Sequence, residues 1–135
     1  YTPGWGGVRN SEVLKYIMYE YECSLRGPSG LLSLSPYHEF RKNFQVEHLV
    51  PKNAEAGHRL ADHEQNRNRL GNLAVLSAEE NKSKGNSSFK NKYNDIYSKS
   101  SLNILRNLDG PEFSVDKISH REENELVPFI RERWG

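Results

Sequence analysis

Apolar residues recur along the chain at two different spacings, and these spacings predict helices around one short pair of strands. Over residues 13–25 they recur every three or four positions, as on one face of a helix. Residues 44–50 alternate between apolar and polar side chains well enough to predict a strand, which Pro51 ends. Residues 73–76 form a second short apolar run after Gly71, and they are predicted as the second strand.

Helix caps and apolar spacing predict further helices on both sides of this hairpin. The predicted helices span residues 11–25, 37–43, 77–85, 88–98, 102–108 and 114–134. Pro128 is expected to kink or restart the last of them, because proline has no N–H for the helical hydrogen bond. Residues 28–36 and 52–70 are predicted as loops, the second long and polar with part of it helical. The prediction is an α+β domain that is predominantly helical.

Composition and cysteine usage narrow the classes of protein that fit. The chain has 135 residues, 35% of them hydrophobic and 27% charged, which predicts one domain over residues 1–135 with a large polar surface. It contains no apolar run long enough to span a bilayer. Cys23 is the only cysteine, which excludes a disulfide framework and makes the cytoplasm the expected location. The start lacks Met and a signal peptide, so an excised piece of a longer protein is expected.

Positive charge is concentrated in one stretch, although the net charge is only +1. Residues 81–101 carry five lysines and one acid, Asp95. Such a stretch suits a polyanion partner, and an ordinary solvated helix face has the same composition. The candidate phosphate contacts are Arg67, Arg69, Lys82, Lys84, Lys90 and Lys92.

Glu47 and His48 stand side by side near the end of the first predicted strand, and Asn72 and Asn81 follow. His48 suits a general base because its usual pKa lies near neutrality. Neighbouring strand residues face opposite sides, so one shared site requires an irregular strand end, which Pro51 favours. Asn72 is placed to orient the imidazole or to hold its loop. Asn81, on the following helix, offers a hard oxygen ligand for Mg²⁺ or Mn²⁺ beside the charge of Glu47.

Glu47, His48, Asn72 and Asn81 occur in an order that resembles the ββα-metal fold of HNH endonucleases in its His-Asn-Asn form. More narrowly, it resembles the C-terminal HNH domain of GmrSD-type restriction proteins and the related domain of Ssp-type phosphorothioate-sensing nucleases. The motifs that carry the resemblance are Val46-Glu47-His48-Leu49-Val50-Pro51, Leu70-Gly71-Asn72-Leu73, Asn81 and Asn86-Ser87-Ser88-Phe89-Lys90-Asn91-Lys92, within a core at residues 44–92. The first helix and the closing helix also take part. This chain has Glu where HNH sites often have Asp, and Asn in place of the final His.

The resemblance implies a role for each of these residues. His48 is the expected general base, Glu47 and Asn81 hold the divalent metal, and Asn72 positions the His48 loop. The implied activity is that of a metal-dependent DNA endonuclease or nickase in an anti-phage restriction protein. The implied partners are double-stranded phage DNA and an N-terminal NTPase or sensor region of the same protein.

Three alternatives remain open at this point. The chain is also consistent with a catalytically idle DNA-binding module that keeps the HNH fold, or with an HNH toxin domain. A zinc site built from His48, His58, His63 and Cys23 is a further alternative. Its spacing fits one helix face poorly, so His58 and His63 are expected to be solvated loop residues.

Overall fold

The computed structural model describes residues 11–84 and 88–135, except for the side chains of residues 82–84. Over these residues, helices surround one antiparallel pair of strands, so the fold is α+β and mostly helical as predicted. The strands are β1 (Phe44–His48) and β2 (Leu73–Ser77). The helices are α1 (Ser11–Leu25), α2 (Pro28–Leu31), α3 (Tyr37–Asn43), α4 (His63–Asn66), α5 (Ala78–Lys84), α6 (Phe89–Asp95), α7 (Asn103–Arg106), α8 (Val115–Arg121) and α9 (Val127–Trp134). In the described ranges, no helix is long and apolar enough to cross a membrane.

The first helix packs on the hairpin through the apolar stripe that its spacing predicts. The buried residues of that stripe are Leu14, Ile17, Met18 and Tyr21. Val13 and Leu25 were predicted on the same face and are exposed. Val13 lies at the edge of the stripe, and Leu25 is the last residue of the helix. The boundaries Ser11–Leu25 confirm the predicted helix.

The hairpin forms where the alternating pattern predicts it, with His48 opposite Leu73 at the last paired position. All four apolar positions of β2 are buried, so both faces of this strand are covered by other elements. Along β1, Gln45 and Glu47 point to one face while Val46 and His48 point to the other. The alternation therefore continues to the end of the strand and separates Glu47 from His48.

The long connection between the strands contains short helical pieces, as expected for part of it. It includes 3-10 turns at Ala56–His58 and Leu70–Asn72, with α4 between them. Asp62 precedes α4 in the left-handed conformation, with φ of 47°, which aspartate tolerates better than most residues. The Leu49 N–H donates to the Asn72 carbonyl over 2.8 Å, so the two ends of the connection meet directly beyond the ladder.

Two helical segments differ from the prediction. The loop expected over residues 28–36 begins with α2, because proline is well accommodated in the first turn of a helix. The stretch predicted as one helix over residues 88–98 is α6 followed by a 3-10 turn at Tyr97–Lys99. The predicted end of the preceding helix near Gly85 lies outside the described residues.

The closing helix accommodates Pro128 with a π-helical turn and continues without a break. α8 continues through a π-helical turn at Glu122–Leu126 into α9. Pro128, in the first turn of α9, has no N–H for the carbonyl four residues earlier, and its ring crowds the preceding turn. A π turn accommodates such a mismatch without ending the helix. The irregularity near Pro128 is therefore this π turn, and the kink stays a prediction.

Gly71 lies directly against α8. A Cβ built on Gly71 would overlap the carbonyl oxygen of Ile118, and Ile118 itself is fully buried. The close approach of the two backbones therefore requires glycine at this position. It brings the closing helix onto the segment where β2 begins.

We expect Gly71→Ala to lower the free energy of unfolding by about 1–3 kcal/mol, since either α8 or the 70–72 turn must move to admit a methyl group. Chemical denaturation measures this change. Gly57→Ala is the matched control, because a Cβ at Gly57 meets nothing within 4 Å. Equal stabilities for the two variants would contradict the close backbone contact.

Candidate functional site

His48 ends β1 and is oriented by an asparagine from the connection between the strands. Its Nε2 lies 2.8 Å from the Asn68 side-chain oxygen Oδ1. A carbonyl oxygen only accepts, so Nε2 carries the proton and donates it. In the neutral ring the lone pair is then on Nδ1. This tautomer leaves Nδ1 as the nitrogen that is able to take a proton.

The surroundings of His48 keep its imidazole neutral. The side chain is partly buried, and this burial lowers the pKa of His48 below its usual value. The hydrogen bond that His48 donates to Asn68 and the charge of Glu47 act in the opposite direction, and Lys52 and Lys92 add to the lowering. Because the net direction is downward, His48 is in the neutral, basic form at neutral pH.

Asn72 holds the chain that leaves β1 after His48. Its Oδ1 accepts from the Val50 N–H over 2.9 Å, and its Nδ2 donates to the Val50 carbonyl over 3.1 Å. The same Nδ2 donates to the Arg67 carbonyl over 2.8 Å. Asn72 is fully buried, and its two bonds to Val50 form away from water. Of the two roles considered for Asn72, the geometry corresponds to holding the loop, and Asn68 is the residue that contacts the imidazole.

The closing helix supports the segment that carries Asn72. The Arg121 guanidinium donates through Nη1 to the carbonyls of Gly71 and Leu73, over 3.1 and 2.7 Å. Glu122 accepts from the Gly71 N–H over 3.0 Å and also pairs with the Arg69 guanidinium. Two neighbouring residues at the start of the π turn thus bind the backbone on both sides of Asn72.

Glu47 points away from His48 into the interior. It is 4% exposed, and its Oε2 lies 3.2 Å from the Lys92 ammonium nitrogen. The Tyr97 hydroxyl donates to the same oxygen. Desolvation and the charge of Glu47 raise the pKa of Tyr97 well above its usual value, so this hydroxyl keeps its proton. Glu47 is therefore held by two donors from the segment that follows α5.

Asn81 lies on the face of the hairpin to which Glu47 points. Its Nδ2 donates to Gln45 Oε1 over 2.9 Å, and Gln45 is two residues before Glu47 on β1. The amide nitrogen of Asn81 is turned toward β1 by this bond. Sequence reasoning did not single out Gln45, because an exposed glutamine on a strand gives no signal of its own.

A carboxylate and an amide oxygen on one face are a donor set that suits a hard divalent cation, with water and phosphate completing its shell. Glu47 and Asn81 therefore fit Mg²⁺ or Mn²⁺ in ligand type and in the face they share. The Glu47 oxygen that Lys92 and Tyr97 contact is already engaged, so a cation would have to share or displace those contacts. Among the described residues, no three His, Cys, Asp or Glu side chains cluster closely enough to hold a metal by themselves.

The residues expected to contact phosphates occupy different surroundings. Lys92 is 2% exposed, so its ammonium group is not accessible to a phosphate backbone. The predicted phosphate contact by Lys92 therefore does not fit the structure. Arg69 is engaged with Glu122 and Ser119 on the closing helix. Arg67 is partly buried and donates through Nη1 to the Lys52 carbonyl. Lys90 is exposed, and the side chains of Lys82 and Lys84 lie outside the described residues.

His63 is a core residue and not the solvated loop histidine that was expected. It is 4% exposed, and its Nδ1 accepts from the Leu60 N–H over 3.1 Å. Its Nε2 lies 3.0 Å from the Lys52 carbonyl oxygen and so carries the proton. Both ring nitrogens are used by the backbone, which argues against a zinc site at His63. His58 is exposed, as expected.

Two residues of the site carried no usable sequence signal. Asn68 belongs to a run of polar residues in a long connection, and Tyr97 looks like part of an apolar helix face. Asn68 lies 20 residues after its partner His48, and Tyr97 lies 50 residues after its partner Glu47. Such pairs depend on the folded path of the connection and not on local spacing.

We expect Asn72→Ala to cost at least about 2 kcal/mol of unfolding free energy, because it leaves two buried backbone groups of Val50 without their partner. The control is Asn94→Ala, which truncates an exposed asparagine on α6. Thermal and chemical denaturation compare the two variants. A loss no larger for Asn72→Ala than for the control would contradict the role assigned to its hydrogen bonds.

Comparison with known families agrees with the resemblance carried by the motifs. Residues 7–126 match the family described as GmrSD restriction endonucleases, C-terminal domain. The matched range includes both strands, the connection with Asn68 and Asn72, and the closing helix through the π turn. No curated protein and no solved structure matches the chain. The chain belongs to the family of C-terminal domains of GmrSD restriction endonucleases.

Proposed function

We propose that this chain is an HNH-type, metal-dependent DNA endonuclease domain that nicks one strand through a histidine base. The observation that carries the proposal is the contact between His48 Nε2 and Asn68 Oδ1 at 2.8 Å. It fixes one tautomer of a partly buried histidine at the end of a strand. Membership of a restriction endonuclease family supports the same class of reaction.

The proposed reaction begins with His48 as the general base. Nδ1 accepts a proton from a water molecule as the oxygen attacks a phosphodiester, and Nε2 keeps its proton through the bond to Asn68. Glu47, the neighbouring residue along the chain, favours the charge that develops on the ring, while burial of the ring and the charges of Lys52 and Lys92 oppose it. Asn72 acts indirectly by holding the segment that follows His48.

Glu47 and Asn81 are the residues that would hold the divalent cation. Such an ion, Mg²⁺ or Mn²⁺, would neutralise charge on the phosphate and polarise the scissile bond. Gln45 orients the Asn81 amide through their hydrogen bond. In this proposal, the hairpin of β1 and β2 with α5 forms the ββα-metal unit within the predicted core at residues 44–92.

The proposed substrate is double-stranded DNA, and one such site cuts one strand at a time. The N-terminal NTPase or sensor region implied by the resemblance would select the target. A catalytically idle DNA-binding module is the second candidate, and a nicking assay separates it from the enzyme. The neutral, oriented imidazole favours the enzyme, because mere DNA binding does not need a fixed tautomer.

We expect His48→Ala to abolish nicking of supercoiled plasmid in Mg²⁺ or Mn²⁺, because the base is removed. Asn68→Ala should lower kcat by about 10–100-fold with little change in KM, since it frees the ring to adopt the wrong tautomer or orientation. Gel electrophoresis of plasmid over time measures both effects.

The controls are wild-type protein with EDTA and the exposed-site variant Asn94→Ala, which should nick at the wild-type rate. Circular dichroism must show folded protein for each variant. Nicking that survives His48→Ala would remove the base assignment. A wild-type protein that binds DNA and never nicks it would favour the idle module.

We expect the combined change of Lys82, Lys84 and Lys90 to Gln to flatten the salt dependence of DNA binding. Each lost phosphate contact should reduce the slope of log K against log salt by about 0.9. Fluorescence anisotropy at several salt concentrations measures the slope. Lys117→Gln is a control away from this stretch, and an unchanged slope in the triple variant would show that these lysines only solvate the surface.

A further inference from the structure

Lys92 is a buried cation that contacts both neighbouring residues of the candidate site. Its Nζ lies 3.2 Å from Glu47 Oε2 and 2.9 Å from the His48 carbonyl oxygen. The side chain is fully enclosed, although it belongs to a short surface helix, α6. The contacts join positions 44 and 45 residues apart in the sequence.

An ammonium group is withdrawn from water at a cost, which only close opposite charge and good hydrogen bonds offset. Glu47 supplies the charge, and the His48 carbonyl supplies a second acceptor. Tyr97 donates to the same carboxylate oxygen and lies under the ammonium, with Nζ 5.8 Å from the ring centroid. Lys92 therefore neutralises Glu47 in the structure as it stands.

The proposed function asks the same carboxylate to hold a divalent cation. Two cations beside one carboxylate repel each other, and at about 4 Å this repulsion is large enough to change an affinity about tenfold or more. A divalent ion must therefore bind against the charge of Lys92 or move its ammonium away from Glu47. In either case Lys92 weakens the binding of the ion.

Resting on the proposed function, we propose that Lys92 is an internal counter-ion of Glu47 that competes with the divalent cation and lowers the affinity of the site for it. In the metal-free protein, Lys92 keeps the carboxylate neutralised and ordered. When the ion binds, the ammonium moves away from Glu47 and retains the His48 carbonyl as its acceptor. The site is thereby tuned to be occupied only at higher concentrations of the ion.

The direction of the effect distinguishes this role from that of an ordinary structural ion pair. If Lys92 only held Glu47 in place for the ion, its removal would misplace the ligand and weaken binding. If Lys92 competes with the ion, removal of its charge must strengthen binding. Affinity for the ion is thus a readout that a purely structural role would move the other way.

The test is Mn²⁺ binding to the full chain, measured by isothermal titration calorimetry and by the electron paramagnetic resonance signal of free Mn²⁺. Lys92→Gln removes the charge while its amide keeps a donor for Glu47. We expect Lys92→Gln to bind Mn²⁺ at least about tenfold more tightly than wild type. Lys99→Gln removes an equal charge from an exposed position and should leave the affinity within about twofold of wild type.

Equal or weaker Mn²⁺ binding by folded Lys92→Gln would overturn the proposal. A second measurement covers the case in which this variant does not fold. In wild-type protein, the ¹H–¹⁵N signal of the Lys92 ammonium should shift as Mg²⁺ is added, in step with saturation of the site, while other lysine signals stay in place. A Lys92 signal unmoved at saturation would overturn the proposal as well.

The outcomes also separate this inference from the proposed function. Wild-type protein that neither binds Mn²⁺ nor nicks plasmid contradicts both. Wild-type protein that binds Mn²⁺ and nicks plasmid, with no gain in affinity in Lys92→Gln and no shift of the Lys92 signal, contradicts the competition alone.

Discussion

The hydrogen bonds of the Asn72 side chain are the constraint on which the candidate site depends. The ladder ends at His48 and Leu73, and beyond it the chain leaves β1 with polar backbone groups that must still be satisfied. The buried side-chain amide of Asn72 satisfies some of these groups, because it forms hydrogen bonds with the N–H and carbonyl of Val50 and with the carbonyl of Arg67. The same amide thus ties the exit from β1 to the residue before Asn68, the partner of His48.

This arrangement is only as rigid as the segment that carries Asn72, and the closing helix supplies that rigidity. Gly71 permits direct contact with α8, while Arg121 and Glu122 bind the backbone on either side of Asn72. The wide turn that accommodates Pro128 begins at Glu122. A helix far along the sequence therefore contributes to the position of His48, through contacts with the backbone on both sides of Asn72.

Much of the fold could be predicted from the local sequence pattern, because the spacing of apolar residues differs between strands and helices. The hairpin, α1 and the helix bearing Asn81 lie where alternation, caps and apolar stripes predict them. Alternation also predicts that Glu47 and His48 face apart, and this held against the expectation of an irregular strand end. The predicted shared site required Glu47 and His48 to face the same side, and the regular strand geometry places them on opposite sides.

What the sequence could not show are the partners of charged and polar side chains. Lys92 looks like one of several surface lysines, and His63 like one of several loop histidines, yet both are buried. Their burial depends on acceptors supplied by distant segments: Glu47 and the His48 carbonyl for Lys92, and the Lys52 carbonyl for His63. The composition gives the number of charged residues but not their partners. Those partners are determined by the tertiary fold.

The opposite orientation of Glu47 and His48 sets a physical requirement on any shared chemistry. Side chains on two faces of a strand act together only if something spans the strand or if their common substrate does. Lys92 spans it in the structure, because one ammonium touches the Glu47 side chain and the His48 backbone. Under the proposed function, a divalent cation would bring positive charge to the same carboxylate, so this ion and the Lys92 ammonium would be alternatives for one position.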